Sequence, residues 1–116
     1  MTINRIEAGP RMSKAVVHGN TVYLAGQIAD DGGLDMGGQT GQVLATIDKY
    51  LEQAGTSKSK LLSAVIYITD MRLFQQMNEV WDAWVDSDNP PARATVQAQL
   101  ARHGLLVEIM VIAALD

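Results

Sequence analysis

No cysteine occurs among the 116 residues, and that absence removes disulfides, thiolate metal sites, iron–sulfur clusters and cysteine nucleophiles together. Histidine is nearly as scarce. His18 and His103 stand alone, with no carboxylate or second histidine at ligand spacing, so no metal site is expected. Basic charge is thin as well: 9 Lys and Arg against 13 Asp and Glu leave a net charge of −4, with no basic run. Electrostatic capture of nucleic acid or of an anionic membrane is therefore not favoured. No apolar stretch approaches the roughly 20 residues of a membrane span, and Met1 to Glu7 lack the apolar core of a signal peptide. A soluble cytoplasmic protein is the expectation.

What is present fits one globular domain over residues 1–116: 47% hydrophobic and 19% charged residues, near the globular average. Residues 2–7 alternate loosely as an edge strand. Residues 14–25 form a hairpin around His18-Gly19-Asn20, and Gly26 to Gly38 form a Gly- and Asp-rich loop or a bulged, irregular stretch. A helix begins near Thr40 as cap and carries Val43, Leu44, Ile47, Leu51 and Ala54 on one face before Gly55 ends it. Residues 61–69 are apolar on both parities, as in a buried central strand. A second helix follows Asp70 as cap, with Phe74, Met77, Trp81 and Trp84 read as core, and the Asn89-Pro90-Pro91 cluster stops it. Strands at about 93–100 and 105–114 complete the chain.

The expected order is thus β-ββ-α-β-α-ββ, an α+β fold with a six-stranded mixed sheet and two helices packed on one face. The last strand puts Leu105, Val107, Ile109 and Val111 on one side and Leu106, Glu108, Met110 and Ile112 on the other. Both sides are apolar, yet two helices cannot cover both faces of six strands. The remaining face is expected either to be buried by another copy of the chain or to be an exposed apolar patch of the kind monomers avoid. A homo-oligomer is the economical answer and would account for the mean hydropathy of +0.03.

Two residues stand out chemically. Arg93 opens a strand behind a rigid proline turn, and its planar fork suits bidentate capture of a carboxylate; a surface or interface salt bridge is the alternative. Glu108 lies in the apolar run LLVEIMVIAAL, where a carboxylate needs a partner or a raised pKa. It is either a general acid/base or a structural glutamate paired with a neighbour. The Gly26 to Gly38 stretch matches no phosphate-binding pattern, and no serine sits in a nucleophile motif.

Taken together, Val22-Tyr23-Leu24-Ala25-Gly26-Gln27-Ile28, Gln42 to Gly55, Met77-Asn78, Pro91-Ala92-Arg93-Ala94-Thr95-Val96 and Val107-Glu108-Ile109 resemble the RidA/YjgF family over nearly the whole chain. These are reactive-intermediate deaminases, also known as endoribonuclease L-PSP proteins. The resemblance implies a chorismate-mutase-like fold, a homotrimer with ligand clefts between subunits, and cofactor-independent hydrolysis of 2-imino and enamino carboxylates to 2-oxo acids and ammonia.

In that comparison Arg93 matches the arginine that grips the substrate carboxylate, and Glu108 the glutamate that orients or activates water. Thr95 falls where the family often has a cysteine with ligand-contacting backbone, Asn78 matches a structural or ligand-proximal asparagine, and Gly26 lines the cleft. Ala25 and Met12 replace a serine and a tyrosine of active members, which marks a divergent branch. A non-catalytic module binding small carboxylates or a partner is the alternative. A ribonuclease is less well supported, given the acidic charge and unpaired histidines.

Overall fold

The computed structural model describes all residues 1–116. The strands are β1 (Ile3–Ile6), β2 (Ala15–His18), β3 (Thr21–Leu24), β4 (Gln27–Ile28), β5 (Leu61–Ile68), β6 (Ala92–Gln97) and β7 (Val107–Ala114). The helices are α1 (Met36–Ala54) and α2 (Phe74–Trp84). One mixed sheet runs in the order β1-β2-β3-β7-β5-β6, with β4 also on β7. Every pairing is antiparallel except β5 with β6, which are parallel and joined through α2. The last two strands in sequence are therefore not neighbours: β5 lies between them.

Residues 27 and 28, expected in a loop or a bulged, irregular stretch, follow the second of these: they extend the second arm of the hairpin along β7. Tyr23 pairs with Ile112 and Gln27 with Ile109, so four steps on one strand face three on the other. The extra residue makes a β-bulge at Leu24-Ala25-Gly26, which turns the strand without breaking its attachment to β7.

The first helix begins earlier than expected. Asp35 is its cap, accepting a 2.8 Å hydrogen bond from Gly38 N, whereas Thr40 lies within the helix and donates to Met36 O at 2.7 Å. The glycine pair Gly37-Gly38 conceals this start in sequence, because glycine weakens a helical pattern. Gly55 ends the helix at φ +92°. Asp70 caps a 3-10 turn over Met71–Leu73 that leads into α2.

Both helices lie on one face of the sheet. On β7, Val107, Ile109, Val111 and Ala113 are buried beneath them with Val43, Leu44, Ile47 and Leu51 of α1 and Met77 and Trp81 of α2. The alternate residues of β7, Glu108, Met110 and Ile112, point to the uncovered face, where Tyr23, Val96 and Met110 remain 38–44% exposed. This is the alternation read from the sequence, with one face packed and one apolar face open.

Candidate functional site

The residues singled out from sequence fall into two groups on opposite faces of the sheet. Arg93 and Thr95 of β6 pair with Ala64 and Ile66, which are buried under the helices, so both side chains lie on the helix-covered face. The Arg93 guanidinium carbon stands 5.3 Å from the ring centroid of Trp81 on α2. Asn78, three residues before Trp81, and Thr95 each carry a buried side-chain oxygen, Oδ1 and Oγ1, without a hydrogen-bond partner. Arg93 takes part in no salt bridge; the chain has one, between Arg72 and Asp70. A free arginine fork thus sits at the sheet edge, over an aromatic ring and beside polar atoms in need of partners.

The second group surrounds Glu108. Across the open face it lies in a row with Ile28 of β4, Tyr67 of β5 and Val96 of β6. Its carboxylate packs on the bare Cα of Gly26: a Cβ built there would overlap Glu108 Oε2 and lie 2.9 Å from the carboxyl carbon. Gly26 does not have a positive φ, so glycine is required for room and not for backbone freedom. The bulge at Ala25-Gly26 thus makes the notch that receives the carboxylate. Ala25 N donates to Lys14 O at 2.9 Å, tying the bulge to the segment that carries Met12. Met12 and Gly26 both line a cavity of about 340 Å³ beside β4, and Met12 is half exposed.

Arg93 and Glu108 are not brought together in one chain. They stand on opposite faces and two strands apart, at about 4.8 Å per strand. Arg93, Thr95 and Asn78 share the β6–α2 junction; Glu108, Gly26, Ala25 and Met12 share the bulge.

Sequence reasoning missed two further residues. Trp81, read simply as core, is also the surface on which Arg93 rests. Gln39 is fully buried near the start of α1; its Nε2 donates to Gly104 O at 2.8 Å and Leu34 O at 3.0 Å, while its Oε1 accepts from Leu106 N at 2.8 Å. It fixes the approach to β7 two residues before Glu108. Its spacing on the helix was the available signal, since it precedes Val43 by four residues on the buried stripe. Beneath the cavity, burial pushes the Tyr50 phenol above its ordinary range, and the Glu7 carboxylate, accepting from it at 3.2 Å, adds to the effect. No helix is long and apolar enough to cross a membrane.

An α+β domain with a sheet covered on one side, a strand-edge arginine and a carboxylate seated in a glycine bulge defines the class. The sequence profile described as "Endoribonuclease L-PSP" matches residues 2–115, and the chain belongs to this family, which includes the RutC and YjgF proteins. It is 44% identical over 114 residues to the RutC family protein YoaB of Escherichia coli, covering 98% of this chain and 99% of that one. A RutC family protein of Haemophilus influenzae is likewise 44% identical over 117 residues, covering 97% and 98%. Among solved structures, a YjgF family member from Neisseria meningitidis superposes with a TM-score of 0.96 at 42% identity, covering 98% of this chain and 95% of that one. A Rid family protein of unknown function from Yersinia pestis gives 0.88 at 36% identity, covering 97% and 99%.

Proposed function

We propose that the chain hydrolyses 2-imino and enamino carboxylates to 2-oxo acids and ammonia, without a cofactor, in clefts between the subunits of a homotrimer. The observation that carries this reading is the division of the site: a free arginine at the sheet edge and a seated carboxylate on the opposite, uncovered face. Neither half suffices alone. A ring of copies that sets the β6 edge of one subunit against the open face of the next unites them and covers Tyr23, Val96 and Met110.

In such a cleft Arg93 holds the substrate carboxylate through two parallel hydrogen bonds, leaving the C=N carbon before Glu108. An enamine first tautomerises to the imine. Glu108 takes a proton from water as its oxygen bonds to that carbon and passes it to the nitrogen, giving a carbinolamine. It then takes the hydroxyl proton as C=O forms and delivers it to the departing nitrogen, so that the C–N bond breaks and ammonia leaves. General acid/base assistance contributes about 10²–10⁴-fold, and positioning adds to it. Thr95 offers backbone groups beside Arg93, and Asn78 a polar atom near the same edge. On this reading the protein works in the cytoplasm, on small carboxylates released by amino-acid metabolism, and not on nucleic acid.

The test couples the protein to an amino-acid oxidase that generates imines. Faster release of 2-oxo acid is expected, and a rate equal to that of the uncatalysed imine overturns the proposal. The replacement of hydroxyl side chains by Ala25 and Met12 at the notch favours a second reading, a cleft that binds a carboxylate without turnover. Calorimetric binding of 2-oxobutanoate with no acceleration of imine hydrolysis selects it.

A further inference from the structure

Gly26 faces two things at once. It receives the Glu108 carboxylate, and it lines the cavity of about 340 Å³ between β4 and the middle of α1. That cavity has an unusual charge for an acidic chain. Lys14 reaches it from the segment before β2, Lys49 from α1 and Arg102 from the loop before β7, against one lining acid, Asp30. None of the three cations is in a salt bridge. The nearby Glu7 carboxylate accepts from Tyr50, and Lys49 stands 5.1 Å from the centre of the same ring. Of 9 basic residues in a chain of net charge −4, three converge on one concavity that Gly26, the seat of the Glu108 carboxylate, also lines. A concave site with a surplus of one sign concentrates ligands of the other.

The proposed chemistry already assigns the substrate's own carboxylate to Arg93, so a second cationic site has no role for a substrate with an apolar side chain. We infer that this cavity is the side-chain subsite and that it selects imines with a second carboxylate, the four- and five-carbon 2-imino dicarboxylates. This rests on the hydrolase reading for the place of the C=N group, but it can be tested by binding alone. With the C=N carbon at Glu108, the side chain extends past Gly26 into the cavity, where Lys14, Lys49 and Arg102 meet its terminal carboxylate. Met12 at the rim covers the intervening methylenes.

Calorimetry at low salt with the two stable product analogues 2-oxoglutarate and 2-oxobutanoate tests this. The dicarboxylate should bind at least tenfold more tightly. In the Lys14→Gln/Lys49→Gln/Arg102→Gln variant, the ratio of the two affinities should fall to about one. All three residues are exposed, so the fold should survive, and Lys49→Gln alone should give a partial fall. The variant Lys58→Gln/Lys60→Gln, which removes cations away from the cavity, should retain the preference. Equal affinities in the unmodified protein, or an equal loss of preference in the Lys58/Lys60 control, overturn the dicarboxylate inference and leave the hydrolase reading standing. Binding of neither acid removes both.

Discussion

The carboxylate of Glu108 rests on the bare Cα of Gly26, in a notch that a single methyl group would fill. Two strands of different origin make this contact: β7 presents Glu108, and the extra residue in the neighbouring strand brings Gly26 beneath it. Gly26→Ala should therefore leave the backbone intact, since no positive φ is involved, while driving the carboxylate out of place. Overpacking of this kind costs about 1–3 kcal/mol of stability, whereas loss of a placed proton-transfer group costs about 10²–10⁴ in rate. Imine hydrolysis by the variant should fall at least a hundredfold. Shortening the acid in the same background, Gly26→Ala/Glu108→Asp, should restore part of it. A Gly26→Ala protein as active as the parent separates Glu108 from the chemistry.

Trp81 supports Arg93 by its face and itself packs against Trp84 at 5.3 Å between ring centres, while Trp84 Nε1 donates to Asp48 at 2.9 Å. This chain of contacts anchors the arginine through α2 to α1. Trp81→Phe keeps a ring beneath the guanidinium and should change KM little. Trp81→Leu frees the fork and should raise KM about fivefold or more, an energy near the 1 kcal/mol of an exposed cation–π contact, with a smaller change in kcat. Equal KM values for the two variants, measured by steady-state kinetics, would show that the ring does not position Arg93.

These two relationships mark how far the sequence could be read. The period-2 pattern of β7 was legible, because Val107, Ile109 and Val111 alternate cleanly with Glu108, Met110 and Ile112, and the structure buries the first set alone. The placement of Arg93 and Thr95 on one parity of β6 was legible for the same reason. The notch was legible only as a choice between a loop and a bulge from Gly26 onward: a bulge depends on which residues of the partner strand it faces, and nothing in Ala25-Gly26 reveals that Gln27-Ile28 still pair with β7. The start of α1 was hidden because Asp35 caps a helix whose first turn contains two glycines. The seat of Arg93 on Trp81 joins residues twelve apart across a parallel crossover, a contact without a local signal.

Gln39 satisfies two carbonyls and one N–H in a region where water has no access to the amide. Gln39→Leu keeps the volume but leaves those groups unpaired, at about 1–3 kcal/mol. The expected result is a fall of roughly 10 °C in Tm on the per-residue unfolding entropy of small domains, read by circular dichroism. Activity of the folded variant should fall too, because the Leu106 N–H that Gln39 accepts from leads into the strand bearing Glu108. An unchanged Tm rules out this bracket as a source of stability.

The uncovered face makes a separate demand. Met110 lies at its centre, 38% exposed, between Glu108 and Ile112. A charge there does not touch the core under the helices, so Met110→Lys should fold, yet it would bury an unpaired ammonium in any interface that covers the sheet. Light scattering should give the parent protein a mass of about three times 12.6 kDa and the variant a mass near 12.6 kDa. The variant should then lack imine hydrolysis although Arg93 and Glu108 are both present. An active monomer contradicts the shared cleft.

Because Arg93 and Glu108 occupy opposite faces of the same chain, a cleft that needs both must take them from two copies. Arg93→Ala and Glu108→Gln proteins should each be inactive alone. When the two are unfolded together in equal amounts and refolded, each interface in a ring draws its arginine from one neighbour and its glutamate from the next. Random assembly then leaves about one cleft in four with both groups intact, the number set by the cyclic symmetry of the interface. Activity should return to about that fraction of the parent rate. Recovery also distinguishes a shared site from a merely structural need for assembly, since both single variants retain the apolar face and should assemble equally well. If the mixed protein assembles but stays inactive, the two residues do not meet in one cleft, and the division of the site between faces has another cause.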